Sequence, residues 1–259
     1  MTIVNQNRCV VCGEPAGSYA IAVDEYLIYK CAQCGLEYTL PIPTLHQLKD
    51  FYASYTDVRA ENNVVRENSI RQLKILSDIG LAKEDLILDF GSGAGMFIEV
   101  AGDNCYGVEF RAASQRVYSS TKDLPERKFK YITMWGVLEH LTNPVEIIAE
   151  LQELLTSEGR IILTTVNAEG LIPYYYKPIE HLTYWTQTSF HRLFESCGMN
   201  VVSFAPYYML QHKDVYLNRL LSRTPEHYQE AFQCTLTNLP NYVEVPTNEI
   251  LVVAEKILK

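Results

Sequence analysis

The sequence predicts an α/β fold built on a mostly parallel sheet, with a small metal-binding unit in front of it. In residues 86–100 an apolar run ends in an acid, a glycine-rich turn follows, and apolar residues then recur at helical spacing. Predicted strands and helices alternate from there to residue 166, which is typical of parallel sheets. We therefore expect a metal-binding unit at residues 1–43, a helical connector at 44–80, and a main domain at 81–259 with an insert at 206–247.

Composition narrows the functional classes. Of the 259 residues, 47% are hydrophobic and 20% are charged, which is ordinary for a globular protein. A net charge of −9 argues against nucleic acid as the main partner, because such proteins present a basic surface to phosphates. The sequence lacks an apolar run of about 18 residues and the layout of a signal peptide. We therefore expect a cytoplasmic protein without a membrane partner.

The cysteines predict a metal site. Seven are present, and four of them form two Cys-x-x-Cys-Gly motifs: Cys9, Cys12, Cys31 and Cys34. Two thiolates from each motif can complete a tetrahedral site for one zinc ion. Because the protein supplies all four ligands, we expect a structural ion rather than a catalytic one. We interpret this unit as a zinc ribbon whose folding depends largely on its metal.

The glycine-rich turn predicts a ligand-binding loop. Asp89 ends the preceding strand, and Gly91, Gly93 and Gly95 follow at alternate positions. Glycines accept positive φ and let a ligand approach the backbone closely. A triphosphate-binding loop requires a lysine after its last glycine, and none follows here. The third glycine also comes one place too early for a dinucleotide motif. A glycine turn without any ligand is the alternative.

Two motifs resemble those of class I S-adenosylmethionine (SAM) dependent methyltransferases. Residues 86–95 resemble motif I, and residues 129–141 resemble motif IV, with Lys130 where that motif usually has an acid. The resemblance implies a seven-stranded Rossmann-like sheet whose last strand runs antiparallel beside the sixth. It also implies SAM as cofactor, held by residues that include the motif I acid and glycines, Glu109 for the ribose, Asp123 for the adenine, and Met134 and Trp135 as apolar walls. On placement alone, Glu109 and Asp123 can also be read as solvated surface acids.

An aromatic segment at residues 171–186 follows the fifth predicted strand, where an acceptor must lie. We expect four of its tyrosines to bind substrate: Tyr174, Tyr175, Tyr176 and Tyr184. His181 is the predicted general base and Glu180 its supporting carboxylate, since imidazole titrates near neutral pH. The alternative is that His181 only braces the loop. For the pair Glu139 and His140 we expect a structural or cofactor-positioning role.

The whole layout resembles zinc-ribbon methyltransferases that tailor sugars and small molecules. Members that C-methylate nucleotide sugars carry Tyr-x-Glu-His, and here Pro178 stands at the tyrosine position. The resemblance also implies that Tyr55 turns toward the substrate. We therefore expect methyl transfer to a hydroxyl or carbon of a small polar acceptor such as a sugar, nucleotide sugar or glycan precursor.

Two alternatives remain at this point. One is an RNA methyltransferase whose ribbon grips nucleic acid. The cations of residues 1–40, Arg8 and Lys30, are too few for a basic face, which disfavours it. The other is a SAM-binding scaffold without catalysis. The sequence does not predict the oligomeric state.

Overall fold

The computed structural model describes residues 8–54, 62–110, 115–126, 128–169, 176–221, 225–236 and 239–257. In chain order its strands are β1 (Ser18–Val23), β2 (Tyr26–Lys30), β3 (Glu37–Leu40), β4 (Ile87–Phe90), β5 (Cys105–Val108), β6 (Val117–Tyr118), β7 (Phe129–Trp135), β8 (Leu155–Val166), β9 (Thr183–Tyr184), β10 (Met199–His212) and β11 (Tyr242–Lys256). Its α-helices are α1 (Leu45–Ser54), α2 (Asn62–Asp78), α3 (Met96–Ala101), α4 (Pro144–Leu154), α5 (Gln187–Ser196), α6 (Lys213–Leu221) and α7 (Glu226–Leu236).

The main sheet has, within the described residues, seven strands in the order β10-β11-β8-β7-β4-β5-β6. The strands from β8 to β6 pair in parallel, whereas β11 is antiparallel to both β8 and β10. The predicted α/β class and the mostly parallel sheet are therefore confirmed. Because parallel strands share one direction, the loops that follow β4, β5, β7 and β8 all lie at one edge of this sheet.

The N-terminal unit forms a second sheet in the order β1-β2-β3-β9, with antiparallel neighbours. Strand β9 comes from outside the N-terminal unit, because it lies in the aromatic segment at residues 171–186. It pairs Tyr184 with Glu37 and Thr183 with Tyr38. A two-residue strand carries no period of its own, so only the partner strand reveals it.

The core joins the two sheets. One cluster of buried residues runs from the cysteines and Tyr38 through Ile132 of β7 to Phe190 of α5, so the N-terminal unit packs on the same face of the main sheet as α4 and α5. A second cluster fills the opposite face beneath α2 and α3, with Leu76 and Phe97 among its members. The main sheet is thus covered on both faces, as parallel sheets require.

The predicted insert at 206–247 begins and ends as regular structure. Strands β10 and β11 stay paired as far as His212 and Tyr242, and α6 and α7 lie between them in the chain. No helix in the described part of the chain is long and apolar enough to cross a membrane.

Candidate active site

Asp89 lies at the carboxyl edge of the main sheet and is only 3% exposed. Its carboxylate accepts a hydrogen bond from the Thr133 hydroxyl at 2.7 Å. The pKa of the Asp89 carboxyl is raised to about 7, mainly by burial and to a smaller extent by the negative charge of Glu109, while the hydrogen bond from Thr133 opposes the rise. Asp89 therefore changes charge near neutral pH, which an exposed aspartate does not do.

The glycines of the loop have different reasons to be glycine. Gly91 has φ +76°, and a Cβ there would lie 2.5 Å from Cγ2 of Val137, in the loop that follows β7. Gly93 has φ +53° and open space around its Cα, and Gly95 has φ +83° at the start of α3. Gly91 thus lets two loops touch, whereas Gly93 leaves room where a ligand can approach the backbone.

The two predicted acids of the cofactor site lie on adjacent strands. Glu109 directly follows β5, and its carboxylate accepts a hydrogen bond from the Gly93 N–H at 3.1 Å. Asp123 is exposed at the end of a short 3₁₀ turn after β6, where it accepts a hydrogen bond from the Ser119 hydroxyl at 3.2 Å. The structure brings Asp89, Gly93 and Glu109 together and places Asp123 on the neighbouring strand's loop.

The two predicted apolar walls point to opposite faces of β7. The contact of Met134 with the cofactor stays a prediction, and Met134 itself is fully buried in the core cluster beneath α4 and α5. The alternation of side chains along a strand is the reason, because it turns Met134 and Trp135 opposite ways. Trp135 is partly exposed, stacks on Tyr207 with ring centroids 6.4 Å apart, and has a buried indole N–H without a partner in the described structure.

The predicted substrate tyrosines divide into three groups. The contact of Tyr184 with substrate stays a prediction; the side chain is fully buried, and its hydroxyl accepts a hydrogen bond from the Lys177 N–H. Its place in β9 explains this, because β9 adds to a covered sheet. Tyr176 is partly exposed and donates its hydroxyl to Glu37 at 2.7 Å, which ties the aromatic segment to β3. The remaining three lie outside the described residues: Tyr55, Tyr174 and Tyr175.

His181 is mostly enclosed, with a side-chain exposure of 14%. The pKa of its imidazole is lowered to about 2, mainly by burial and to a smaller extent by His140 and Lys177. Its Nε2 lies 3.9 Å from Oε1 of Glu180, too far for a hydrogen bond, while the other Glu180 oxygen lies 3.4 Å from Nζ of Lys177. The Glu180 carboxylate therefore does not orient His181 as predicted.

His140 is a close neighbour of His181 that the sequence did not predict. Its ring lies 5.0 Å from that of His181, and its Nδ1 is within hydrogen-bond distance of the backbone carbonyl of Glu180. Because a carbonyl only accepts, Nδ1 carries the proton and Nε2 keeps its lone pair. Tyr52 of α1 adds a hydroxyl 3.0 Å from the same Nδ1. Nothing in the sequence links positions 52 and 140.

The four cysteines predicted to bind metal are together, with their Sγ atoms within 4.8 Å of one another. The pairs Cys9–Cys34 and Cys12–Cys31 are 3.6 and 3.4 Å apart. Sulfurs around a tetrahedral zinc ion are about 3.8 Å apart for a Zn–S bond of about 2.3 Å, so the group fits such an ion. Both motifs close alike: the glycine after each has φ of +72° or +73° and donates its N–H to the first cysteine's carbonyl at 2.9 Å.

A cavity of about 560 Å³ lies at the opposite edge of the main sheet. Two of its cations are paired with acids, since Lys130 lies 3.0 Å from Glu158 and Arg160 lies 3.4 Å from Glu255, and the third, Lys256, donates to the Leu155 carbonyl. It is lined at the amino ends of β7 and β8, where parallel sheets do not place their ligand sites. The candidate active site is therefore at the glycine-loop edge.

The fold and the glycine-loop edge define a class: the α/β fold of SAM-dependent methyltransferases. A family model described as "Methyltransferase domain" matches residues 63–204, more than half of the chain, and the chain belongs to that family. No curated protein matches the sequence.

Solved structures share the fold. One is the 1,6-didemethyltoxoflavin-N1-methyltransferase of Burkholderia thailandensis with bound 1,6-didemethyltoxoflavin and S-adenosylhomocysteine, at 15% identity and TM-score 0.51 over 93% of this chain and 99% of that one. Another is a SAM-dependent methyltransferase of Archaeoglobus fulgidus, at 17% identity and TM-score 0.51 over 80% of this chain and 99% of that one. At these identities the likeness shows the fold alone.

Proposed function

We propose that the protein transfers the methyl group of SAM to a small polar acceptor, with a hydroxyl oxygen as the preferred nucleophile. The observation that carries the proposal is the close grouping of Asp89, Gly93 and Glu109 at the carboxyl edge of a methyltransferase-family sheet. Two carboxylates and open backbone suit a ligand that bears an ammonium group and ribose hydroxyls. A sugar, nucleotide sugar or glycan precursor is the acceptor class that we favour.

The donor side follows from the residues just named. Asp89 in its ionised form attracts the ammonium group of the donor's amino-acid part, and Glu109 accepts hydrogen bonds from the ribose. The positive φ at Gly93 leaves the backbone bare where the donor approaches. Bound SAM supplies an electrophilic methyl group on a sulfonium. The residues then have to align the acceptor oxygen with that methyl and exclude water.

Contacts between the glycine loop and its neighbours support a position for the acceptor pocket. Gly91 packs close to Val137, which precedes the 3₁₀ turn Leu138–His140, so His140 lies on a loop that packs against the glycine turn. Phe110, which follows Glu109, is 66% exposed, and its ring lies 6.2 Å from that of Tyr52. Tyr52 in turn contacts His140. We propose that these aromatic rings and the two histidines form the wall of the acceptor pocket.

The proton of an acceptor hydroxyl has to leave during transfer. His181 is a weak base in this environment, because its imidazole stays neutral throughout the working pH range. The Nε2 atom of His140 carries a lone pair and lies 3.9 Å from Oε1 of Glu139. We therefore propose that the His140–His181 pair positions the acceptor hydroxyl for loss of its proton, and that Glu180 contributes through its backbone carbonyl on His140 rather than through its carboxylate.

We further propose that the four cysteines bind one structural zinc ion. The ion would hold the two glycine-closed motifs together and provide no catalytic position, because all four tetrahedral positions would be filled by thiolates. This unit reaches the acceptor side through β3, whose Thr39 hydroxyl donates to the His181 carbonyl at 3.2 Å.

The test separates donor binding from turnover. Calorimetry with SAM and with S-adenosylhomocysteine should show binding to the purified protein, and a panel of sugars, sugar nucleotides and phenols should show methylation of at least one hydroxyl. His140→Ala should keep donor binding and lose most turnover. Absence of heat with both donor forms would overturn the proposal, and donor binding without turnover of any acceptor would favour a scaffold.

A further inference from the structure

We propose that Glu139, His140 and His181 form a second metal site, for one divalent first-row transition-metal ion, beside the acceptor pocket. Glu139 and His140 come from the 3₁₀ turn after β7, and His181 comes from the segment before β9. One ligand atom from each of the three lies within 4.8 Å of the other two. Residues more than 40 positions apart in the chain are thus brought to one point.

His140 has the orientation of a metal ligand. Its Nδ1 donates to the Glu180 carbonyl, which fixes the tautomer and leaves a lone pair on Nε2. That Nε2 lies 3.9 Å from Oε1 of Glu139, beyond hydrogen-bond distance. Ligands of one ion with bonds of about 2.1 Å lie about 3 to 4 Å apart, so this separation suits two ligands of a shared ion.

Glu139 is held with one oxygen turned toward this point. Its side chain is 4% exposed, and Oε2 accepts a hydrogen bond from the Thr165 hydroxyl at 2.7 Å. Oε1 is the oxygen that faces His140. A hydroxyl that fixes one carboxylate oxygen while the other faces an imidazole is a common arrangement around metal ligands.

His181 supplies the independent observation. Its Nδ1 is buried and has no hydrogen-bond partner in the described structure. A buried ring nitrogen without a partner requires an explanation, and an ion or water at that position is the usual one. Here the nitrogen belongs to a ring that already lies 5.0 Å from the ring of His140.

Two imidazoles and one carboxylate favour zinc, manganese, iron or cobalt over magnesium or calcium, which prefer oxygen ligands. Three protein ligands leave positions open for an acceptor oxygen. Binding of the acceptor oxygen to the ion rests on the proposed methyl transfer, whereas metal binding by the three residues does not. A hydroxyl bound to the ion would lose its proton to water more readily, its oxygen would bond to the methyl carbon, and the carbon–sulfur bond would break to release S-adenosylhomocysteine.

The test counts metal ions in the whole protein. The wild-type chain, stripped and then reloaded with Co²⁺, should bind two ions per chain by elemental analysis. The cysteine site should give intense thiolate charge-transfer bands, and the second site should add only weak ligand-field bands. His140→Ala and His181→Ala should each lose one ion and the weak bands alone. His46→Ala removes an exposed histidine of α1 and is the matched control, which should keep both ions.

One ion per wild-type chain with thiolate bands only would overturn the proposal, as would two ions retained in both histidine variants. Calorimetry with SAM on the same samples keeps this outcome apart from the proposed function. Absence of the second ion from the wild-type chain with intact donor binding defeats the metal site alone, and absent donor binding with two ions bound defeats the methyl-transfer proposal alone.

Discussion

The two sheets of this protein are stabilised in different ways. In the main sheet, residues 161–166 of β8 are all buried, and both faces are covered by helices or by the N-terminal unit. In the N-terminal sheet, β2 alternates between buried and exposed residues, and its neighbour β1 presents the exposed Ile21. Apolar burial can sustain the first sheet, whereas we propose that the second depends on metal binding by its four thiolates and on docking. On this proposal the smaller sheet needs both its metal site and its contact with the main domain.

The junction between the sheets is specific. The Thr186 hydroxyl caps α5 and also donates to the Cys34 carbonyl at 3.2 Å, so one side chain joins a cysteine motif to a helix of the main domain. Strand β9 brings the segment after His181 into the N-terminal sheet. Loss of structure in the N-terminal unit should therefore disturb the positions of His140 and His181 more than that of Asp89, which lies before the glycine loop.

Replacing Cys31 with Ser should have the largest effect. Structural zinc contributes about 10 kcal/mol or more to folding of small zinc units, so we expect β1–β3 to lose their structure and turnover to fall below detection. Donor binding should remain within a few-fold of wild type, because the main sheet keeps its own core. Hydrogen exchange of the N-terminal strands and calorimetry with SAM measure the two effects.

Cys197→Ser is the matched control, since Cys197 ends α5 and lies outside the four-thiol group. It should leave zinc content unchanged. Equal protection of β1–β3 in the Cys31 variant and the wild type would show that the N-terminal sheet does not need the metal.

Gly91→Ala should affect the main sheet instead. The new Cβ would meet Val137 at 2.5 Å on a residue with φ +76°, and strain plus overpacking should cost about 2 to 4 kcal/mol. Donor affinity should fall at the same time, because the glycine loop must move. Denaturant unfolding and SAM calorimetry measure these losses.

Gly93→Ala isolates the backbone effect, because a Cβ there meets nothing within 4 Å. Its cost should be about 1 kcal/mol, from its positive φ alone. Similar losses in the two alanine variants would mean that the Val137 contact is unimportant.

Asp89→Asn should change the pH dependence of the donor side only. The carboxyl has a pKa of about 7 in the folded protein, above its ordinary value of 3.8, so folding disfavours its ionised form. The free energy of unfolding of the wild type should therefore decrease as pH rises from about 4 to about 7. Donor affinity should rise about tenfold between pH 6 and 8, because the ionised carboxylate attracts the ammonium group.

The asparagine variant should lose both trends and match the low-pH affinity of the wild type at every pH. Calorimetry at four pH values on both proteins decides the question. A variant that keeps the wild-type rise in affinity would place the titrating group elsewhere.

Local patterns predicted the parts of each sheet but not their junction. The apolar run before Asp89, the alternate glycines and the paired cysteines are each contained in a short stretch, so the sequence reveals them directly. Strand β9 forms through pairing with Glu37 and Tyr38, more than 140 positions away, and has no pattern of its own. For the same reason the sequence could not show that Tyr184 would be buried.

Side-chain direction is the other feature that the sequence did not show. The motif that contains Met134 and Trp135 predicted a strand, which is present, but not which of the two would face the core. The contact of Tyr52 with His140 depends on how α1 packs, and no periodicity encodes it. The sequence therefore indicated which residues could take part in binding or catalysis, but not which side chains would lie beside them and set their protonation.

Tyr176→Phe should have the smallest effect and tests the junction most finely. The change keeps the ring, which packs against Tyr184 with centroids 4.8 Å apart, and removes the hydroxyl that donates to Glu37. Loss of one hydrogen bond to a carboxylate should cost about 1 to 2 kcal/mol of stability. Turnover should fall by a few-fold while donor affinity stays unchanged, because the hydroxyl ties the acceptor segment to β3. Tyr228→Phe, on exposed α7, is the control and should alter neither quantity. A drop in donor affinity in the Tyr176 variant would show that the N-terminal sheet supports both sides of the site, rather than the histidine side alone.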